Sequence, residues 1–136
     1  MITKPIPYGR QHITDEDIQC VIDALKSDYL TQGPKIKEFE EAFASYVGCK
    51  YAIAVNNATA GLHLAATALD VNLGDKVIVT PLTFAASANC IRFRGGEVVF
   101  CDVEEDTYLM DIKKLSRLLS QSPKGTYKGI VLVDFR

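Results

Sequence analysis

The 136-residue sequence lacks the features that mark several large classes of protein. Its longest apolar stretches are too short to span a bilayer, and residues 1–5 lack the apolar core of a signal peptide. Its formal net charge is only −2 at pH 7, so it carries no basic footprint for nucleic acid. These absences predict a cytoplasmic globular protein that binds neither a membrane nor a nucleic acid.

Paired cysteines and known nucleotide-binding loops are also missing. The four cysteines are scattered without any CxxC spacing, and only His12 and His63 accompany them. We therefore expect no metal site, and we interpret the four cysteines as reduced, buried, small hydrophobic residues. Neither a GxxxxGK[ST] loop nor a GxGxxG loop occurs, which argues against a stand-alone nucleotide-binding module.

What the sequence does contain is a regular alternation of helical and strand patterns. A first helix is predicted after Thr14, where Asp17 completes a capping pattern, and further helices are predicted at 35–47, 59–69, 84–93 and 111–120. Strands are predicted at residues 51–55, 76–80, 97–102 and 129–135. Short connections between alternating strands and helices predict an α/β fold with a mainly parallel, three-layer sheet.

The last predicted strand, at residues 129–135, is apolar throughout, which is typical of a strand covered on both faces. A buried parallel strand is normally followed by a crossover that covers it. No helical pattern follows this strand in the sequence. We therefore expect the chain to be the front part of a longer fold, and thus an incomplete domain.

Residues 55–62, with the sequence Val-Asn-Asn-Ala-Thr-Ala-Gly-Leu, lead directly from a predicted strand into a predicted helix. The first amides of a helix have no partner within it, and with the helix dipole they favour an anion. Thr59 adds a hydroxyl at the same point. Asn57 and Thr59 alone are more typical of an ordinary helix cap. The surrounding motifs reverse this balance, and we interpret the segment as a phosphate-binding turn.

An ordered set of short motifs resembles the DegT/StrS-type nucleotide-sugar aminotransferases. The motifs are Leu30-Thr31-Gln32-Gly33-Pro34, Phe39-Glu40, Asn57-Ala58-Thr59-Ala60-Gly61-Leu62, Thr80-Pro81-Leu82-Thr83-Phe84 and Val133-Asp134-Phe135. Each motif is weak alone, but their order is specific. The resemblance implies the aspartate-aminotransferase fold (fold type I) with pyridoxal 5'-phosphate (PLP) as cofactor. Residues 1–34 would form an N-terminal arm and first helix, and residues 35–136 the front part of the large PLP-binding domain.

The same resemblance implies roles for individual residues. Ala58 and Thr59 match the positions that hold the cofactor phosphate, and Phe84 matches the aromatic residue that stacks on the pyridine ring. Positions that line the sugar-nucleotide site in the family are matched by Tyr8, Asp28, Tyr29, Leu30 and Thr31. Considered without the family, Phe84 is more typical of a core residue and Tyr29 of an apolar loop anchor.

The lysine that attaches the cofactor in this family is expected downstream of residue 136, because neither Lys113 nor Lys114 has its sequence context. We therefore expect no catalytic residue in this chain and no activity of the chain alone. For the whole family member, the resemblance implies a homodimer that transfers an amino group, from an amino acid such as glutamate, to the 4-keto carbon of a UDP-linked deoxysugar. Surface-polysaccharide or nonulosonic-acid biosynthesis would use that product.

Two alternatives to this reading stay open. The chain would also suit a family member with another keto sugar or with a dehydratase outcome, since the residues that decide this lie further along such proteins. A truncated, non-catalytic chain that only binds a partner subunit is the second alternative.

Overall fold

The structure of the protein is a computed structural model in which residue 7 and residues 9–134 are described. The elements in chain order are α1 (Asp15–Leu25), α2 (Pro34–Val47), α3 (Ala58–Ala68), β1 (Lys76–Val79), α4 (Ala86–Arg92), β2 (Glu97–Phe100), α5 (Ile112–Ser120) and β3 (Tyr127–Val131). The chain divides into two compact units, one that ends at Ala54 and one that begins at Val55. The functional division at residue 34 that the resemblance implies stays a prediction.

The first unit contains α1 and α2, whose boundaries confirm the sequence prediction. α1 opens on a capping box, in which the Asp17 amide donates to Thr14 Oγ1 at 3.2 Å and the Thr14 amide donates to Asp17 Oδ2 at 2.8 Å. The hydrogen bonds that the Thr14 amide and hydroxyl donate to the Asp17 carboxylate lower the pKa of this carboxyl. α2 begins with Pro34 and ends at Gly48, which has a φ of 71° that glycine adopts without strain.

The predicted strand at residues 51–55 is wrong, because these residues pair with no strand in the part of the chain that the structure describes. Ala52 and Ala54 are half-buried, whereas Tyr51, Ile53 and Val55 are exposed. The Ala54 amide donates to Glu40 Oε1 at 2.8 Å instead of to a neighbouring strand. Strand propensity describes how well side chains fit a sheet surface, so apolar residues without a paired neighbour form no strand.

The second unit is built on a parallel sheet with the strand order β2–β1–β3. The connection from β1 to its neighbour β2 passes through α4. The connection from β2 back across β1 to β3 passes through α5 and runs in the opposite direction. Crossovers of one hand that run in opposite directions place their helices on opposite faces of the sheet, which produces the three layers that the sequence predicted.

The central strand β1 is buried on both faces and divides the core into two clusters. One cluster lies on the side of α3 and α4 and contains Ala66, Val71, Val77, Val79, Cys90 and Ile91. The other lies on the side of α5 and contains Ile78, Cys101 and Met110, with Leu115 and Leu118 packed against it. Alternate residues of β1 therefore face opposite layers, as the pleat of a strand requires.

β3 differs from its prediction in position and in surroundings. It spans Tyr127–Val131 rather than residues 129–135, and its side chains alternate between half-buried and exposed positions. An apolar run by itself does not distinguish one covered face from two, because that depends on which elements pack against the strand. Residues 135 and 136 lie outside the described residues.

None of the five helices in the described residues has the length and apolar character that a membrane crossing requires.

Candidate functional site

The start of α3 carries two backbone amides that are free to bind a ligand. The Ala60 amide donates to Asn57 Oδ1 at 2.9 Å, and the Gly61 amide donates to the Asn57 carbonyl at 3.2 Å. The amides of Ala58 and Thr59, the first two residues of the helix, have no hydrogen-bond acceptor within residues 9–134. Both residues are exposed, so an anion can reach these amides at the positive end of the helix dipole.

Asn57 and Thr59 differ in the hydrogen bonds that they make at this helix start. The sequence left open an ordinary cap, and the structure confirms a cap for Asn57, whose side chain accepts the Ala60 amide. The hydroxyl of Thr59 makes no hydrogen bond within the part of the chain that the structure describes, so it is available to a ligand. The residues at 55–62 include no acidic side chain that would repel a phosphate.

Phe84 lies in the segment between β1 and α4, and it is 78% exposed. Its interpretation as a core residue is therefore wrong, since a large apolar ring in the core is buried. The predicted helix at 84–93 begins only at Ala86, which leaves Phe84 in the connection that follows the strand. Ligands of α/β folds gather at the carboxyl ends of parallel strands, and an exposed aromatic face at this place suits a flat ring.

Two hydroxyl residues beside Phe84 were missed in the sequence. Thr83 Oγ1 and Ser87 Oγ lie 2.7 Å apart, and the Ser87 amide donates to the Phe84 carbonyl at 3.0 Å. The spacing of two hydroxyl residues four positions apart, on either side of an aromatic residue, was the available signal. Such pairs are common in connections between elements, so the spacing alone did not predict a contact.

The loop between α1 and α2 carries the residues predicted for the sugar-nucleotide site, which are Asp28, Tyr29, Leu30 and Thr31. All of them are exposed. The chain turns back tightly here, because a Cβ at Gly33 would lie 2.7 Å from the Tyr29 carbonyl oxygen. The cleft beside Tyr29 and Leu30 has a volume of about 70 Å³. That is below the range of about 300–1,000 Å³ that ligand pockets occupy, so this cleft alone does not hold a nucleotide sugar.

The predicted residues are only partly brought together. Ala58 and Thr59 share one helix start, and Phe84 lies on a separate segment of the same unit. Among the described residues, no hydrogen bond or ring contact joins Phe84 to Ala58 or Thr59. The loop at 28–31 belongs to the first unit, and Tyr8 lies outside the described residues.

Asp102, two residues after the end of β2, is hydrogen-bonded within the fold. Lys114 Nζ donates to Asp102 Oδ2 at 2.7 Å, and the Val103 amide donates to Asp102 Oδ1 at 2.9 Å. The hydrogen bond from Lys114 lowers the pKa of the Asp102 carboxyl, and the same bond raises the pKa of Lys114. Asp102 and Lys114 therefore tie the end of β2 to α5, which is a structural role.

A profile of the DegT/DnrJ/EryC1/StrS aminotransferase family matches residues 11–136. The chain is 43% identical over 131 residues to the UDP-4-amino-4,6-dideoxy-N-acetyl-beta-L-altrosamine transaminase of Campylobacter jejuni, a match that covers 96% of this chain and 34% of the relative. The chain spans about a third of the length of the curated relatives it matches, with 31% of one and 34% of another covered.

Two solved structures are similar to this chain in three dimensions. One is the Helicobacter pylori protein PseC, an aminotransferase involved in the biosynthesis of pseudoaminic acid, with a TM-score of 0.83 and 30% identity over 97% of this chain and 35% of that one. The other is the putative sugar aminotransferase Spr1654 of Streptococcus pneumoniae in its PLP form, with a TM-score of 0.78 and 38% identity over 82% of this chain and 29% of that one. These likenesses confirm the predicted fold class.

Proposed function

Because this chain belongs to the DegT/DnrJ/EryC1/StrS aminotransferase family, we propose that it forms the phosphate-binding and ring-binding part of a PLP site in a nucleotide-sugar aminotransferase. The observation that carries the proposal is the pair of exposed amides of Ala58 and Thr59 at the start of α3, which have no acceptor within residues 9–134. Two amides and a hydroxyl at the positive end of a helix suit a phosphate, which needs several donors and a close approach to the backbone.

Each residue of the proposed site would do a different task. The amides of Ala58 and Thr59, with the Thr59 hydroxyl, would hold the phosphate and so fix one end of the cofactor. The exposed ring of Phe84 would cover one face of the pyridine ring, a contact worth about 1 kcal/mol, and would exclude water from that face. When bound, PLP supplies the electron sink that amino-group transfer requires, while the protein orients it.

The proposed reaction of the whole protein is transfer of an amino group, from an amino acid such as glutamate, to the 4-keto carbon of a UDP-linked deoxysugar. The names of the Campylobacter jejuni and Helicobacter pylori relatives support a sugar of this class, in pseudaminic acid or polysaccharide biosynthesis. Tyr8 and the loop residues Asp28, Tyr29, Leu30 and Thr31 are proposed to contribute to the sugar-nucleotide site. We further propose a cytoplasmic homodimer.

Catalysis itself is assigned outside this chain. The relatives are about three times as long as the aligned region, and we propose that the cofactor-attaching lysine lies in the part of the family's length that this chain does not span. Lys114 is already paired with Asp102, so it is a poor candidate for that role. The 136 residues would therefore bind the cofactor weakly and would not turn over a substrate alone.

A chain that only binds a partner subunit is the second candidate function. It is favoured by the apolar side chains that α1 and α2 leave exposed, which are Ile18, Val21, Leu25, Ile36, Phe39 and Phe43. Contiguous exposed apolar surface marks interaction sites. This alternative requires no ligand at α3, so PLP binding distinguishes it from the first proposal.

The test is a titration of the 136-residue protein with PLP, followed by the ³¹P resonance of the phosphate and by the absorbance near 400 nm. We expect saturable binding that Thr59→Val weakens about tenfold or more, the effect of losing one hydrogen bond to a charged group. The matched control is Thr67→Val, because Thr67 is exposed on the same helix and donates to the His63 carbonyl at 2.9 Å. Equal affinity of the two variants would refute the phosphate role of Thr59.

A further inference from the structure

Phe84 is an exposed residue in a segment that is buried at both ends. Thr80 on one side and Ala86 on the other are buried, whereas Phe84 is largely exposed. Packing against a core fixes a side chain through many contacts, and an exposed ring makes few of them. Another interaction must therefore hold the backbone that carries Phe84.

The hydrogen bond between Thr83 and Ser87 supplies that interaction. Thr83 immediately precedes Phe84, and Ser87 follows it by three residues, so their 2.7 Å contact closes a loop around it. The Ser87 amide also donates to the Phe84 carbonyl, which fixes the same turn through the backbone. Ser87 is buried, and a hydrogen bond in such surroundings competes less with water than one at the surface.

Among the described residues, no capping side chain holds the start of α4. The residue at its cap position is Ala85, which makes no side-chain capping hydrogen bond and has a helical backbone with φ −53° and ψ −24°. A helix start without a capping side chain frays more easily. The Thr83 and Ser87 hydroxyls bridge this position, so their loss loosens the turn that carries Phe84.

We propose that Thr83 and Ser87 are positioning residues that hold Phe84 ready to stack on the ring of a bound cofactor. The identity of this cofactor as PLP rests on the proposed function. A ring that is held before the ligand arrives loses less freedom on binding, so preorganisation strengthens affinity. Loss of the hydroxyl pair is expected to weaken PLP binding about 2- to 10-fold, which is the range of one neutral hydrogen bond.

The test combines PLP affinity of the 136-residue protein with the ¹⁵N order parameter of the Phe84 amide, which needs no ligand. Thr83→Val and Ser87→Ala are each expected to lower the order parameter and to weaken PLP binding. The double variant is expected to do no more than either single change, because both break one bond. Thr83→Ser keeps a hydroxyl and should restore both measurements.

The matched control is Thr126→Val, because Thr126 is a threonine of the same unit whose hydroxyl bonds to the Pro123 carbonyl, remote in sequence from Phe84. Thr83 is only half-buried, so its variant still tests the pair if Ser87→Ala does not fold. An unchanged order parameter at Phe84 in Thr83→Val, or additive losses in the double variant, would overturn the inference. A wild-type protein that does not bind PLP would overturn the proposed function, while the order parameters would still decide the role of the pair.

Discussion

Gly96 passes so close to Val71 that a Cβ atom at position 96 would lie 2.7 Å from Val71 Cγ1. The same atom would lie 2.8 Å from Ile91 Cγ2. Val71 and Ile91 are both fully buried in the cluster beneath α3 and α4, so neither side chain has room to move. Gly96 directly precedes β2, and its missing side chain lets this strand enter the sheet against the core.

Gly96→Ala is therefore expected to lower the free energy of unfolding by about 1–3 kcal/mol, the usual effect of adding a methyl group to a packed core. The measurement is urea unfolding followed by circular dichroism. Gly9→Ala is the control, because a Cβ at Gly9 has nothing within 4 Å among the described residues, and its effect should stay within about 0.5 kcal/mol. Similar effects of the two substitutions would show that the contact at Gly96 is relieved by a backbone shift.

The parts of the fold that could be predicted from the sequence are those fixed by neighbouring residues. The boundaries of α1, α2 and α3 depend on the caps at Thr14, Gly48 and Asn57, and each cap acts within one helical turn. The strand prediction for residues 51–55 was wrong because a strand needs a paired neighbour, which the local sequence does not specify. The prediction that β3 is covered on both faces was wrong for the same reason, since burial depends on which layers cover the strand.

In the candidate site, too, features set by neighbouring residues could be predicted and features set by tertiary packing could not. The free amides of Ala58 and Thr59 follow from the turn into α3, so the sequence was sufficient to predict them. The exposure of Phe84 depends on where α4 begins and what packs beside it, and propensity alone favoured a buried ring. The Thr83–Ser87 bond depends on rotamers that only the folded turn selects.

The four cysteines fall into two pairs of different exposure. The prediction that all four are buried is wrong for Cys20 and Cys49, which are exposed. Cys90 and Cys101 are buried, and burial raises the pKa of both thiols, with the carboxylates of Asp111 and Asp102 adding to the effect at Cys101. A raised pKa leaves less of the reactive thiolate at a given pH. We expect Cys20 and Cys49, which are exposed, to react rapidly with Ellman's reagent at pH 8 and the buried pair to react only in denaturant.

The control for this experiment is the Cys20→Ser, Cys49→Ser double variant, which should show no fast phase while folded and two reactive thiols in denaturant. A fast phase in that variant would mean that the region around Cys90 or Cys101 opens readily.

The ion pair of Asp102 and Lys114 predicts a dependence on pH. A carboxyl whose pKa is lowered in the folded protein stabilises it above the ordinary value of 3.8, and that contribution is lost as the pH falls through the lowered pKa. Lys114→Met is expected to return the pKa of Asp102 toward its ordinary value, as measured by NMR titration of the carboxyl carbon. Lys113→Met is the control, and an equal shift in both variants would point to general charge effects rather than to this hydrogen bond.

Thr80 directly follows the central strand β1, and its hydroxyl is buried and unpaired among the described residues. Its side chain is 1% exposed, and within residues 9–134 its Oγ1 has no hydrogen-bond partner. An unsatisfied buried hydroxyl costs about 1–3 kcal/mol, so Thr80→Val, which keeps the shape of the side chain, should raise the free energy of unfolding by about 1 kcal/mol. Thr83→Val is the matched contrast and should lower it, because that hydroxyl is bonded to Ser87. If Thr80→Val also destabilises the protein in urea unfolding, the Thr80 hydroxyl has a partner in solution, such as a buried water.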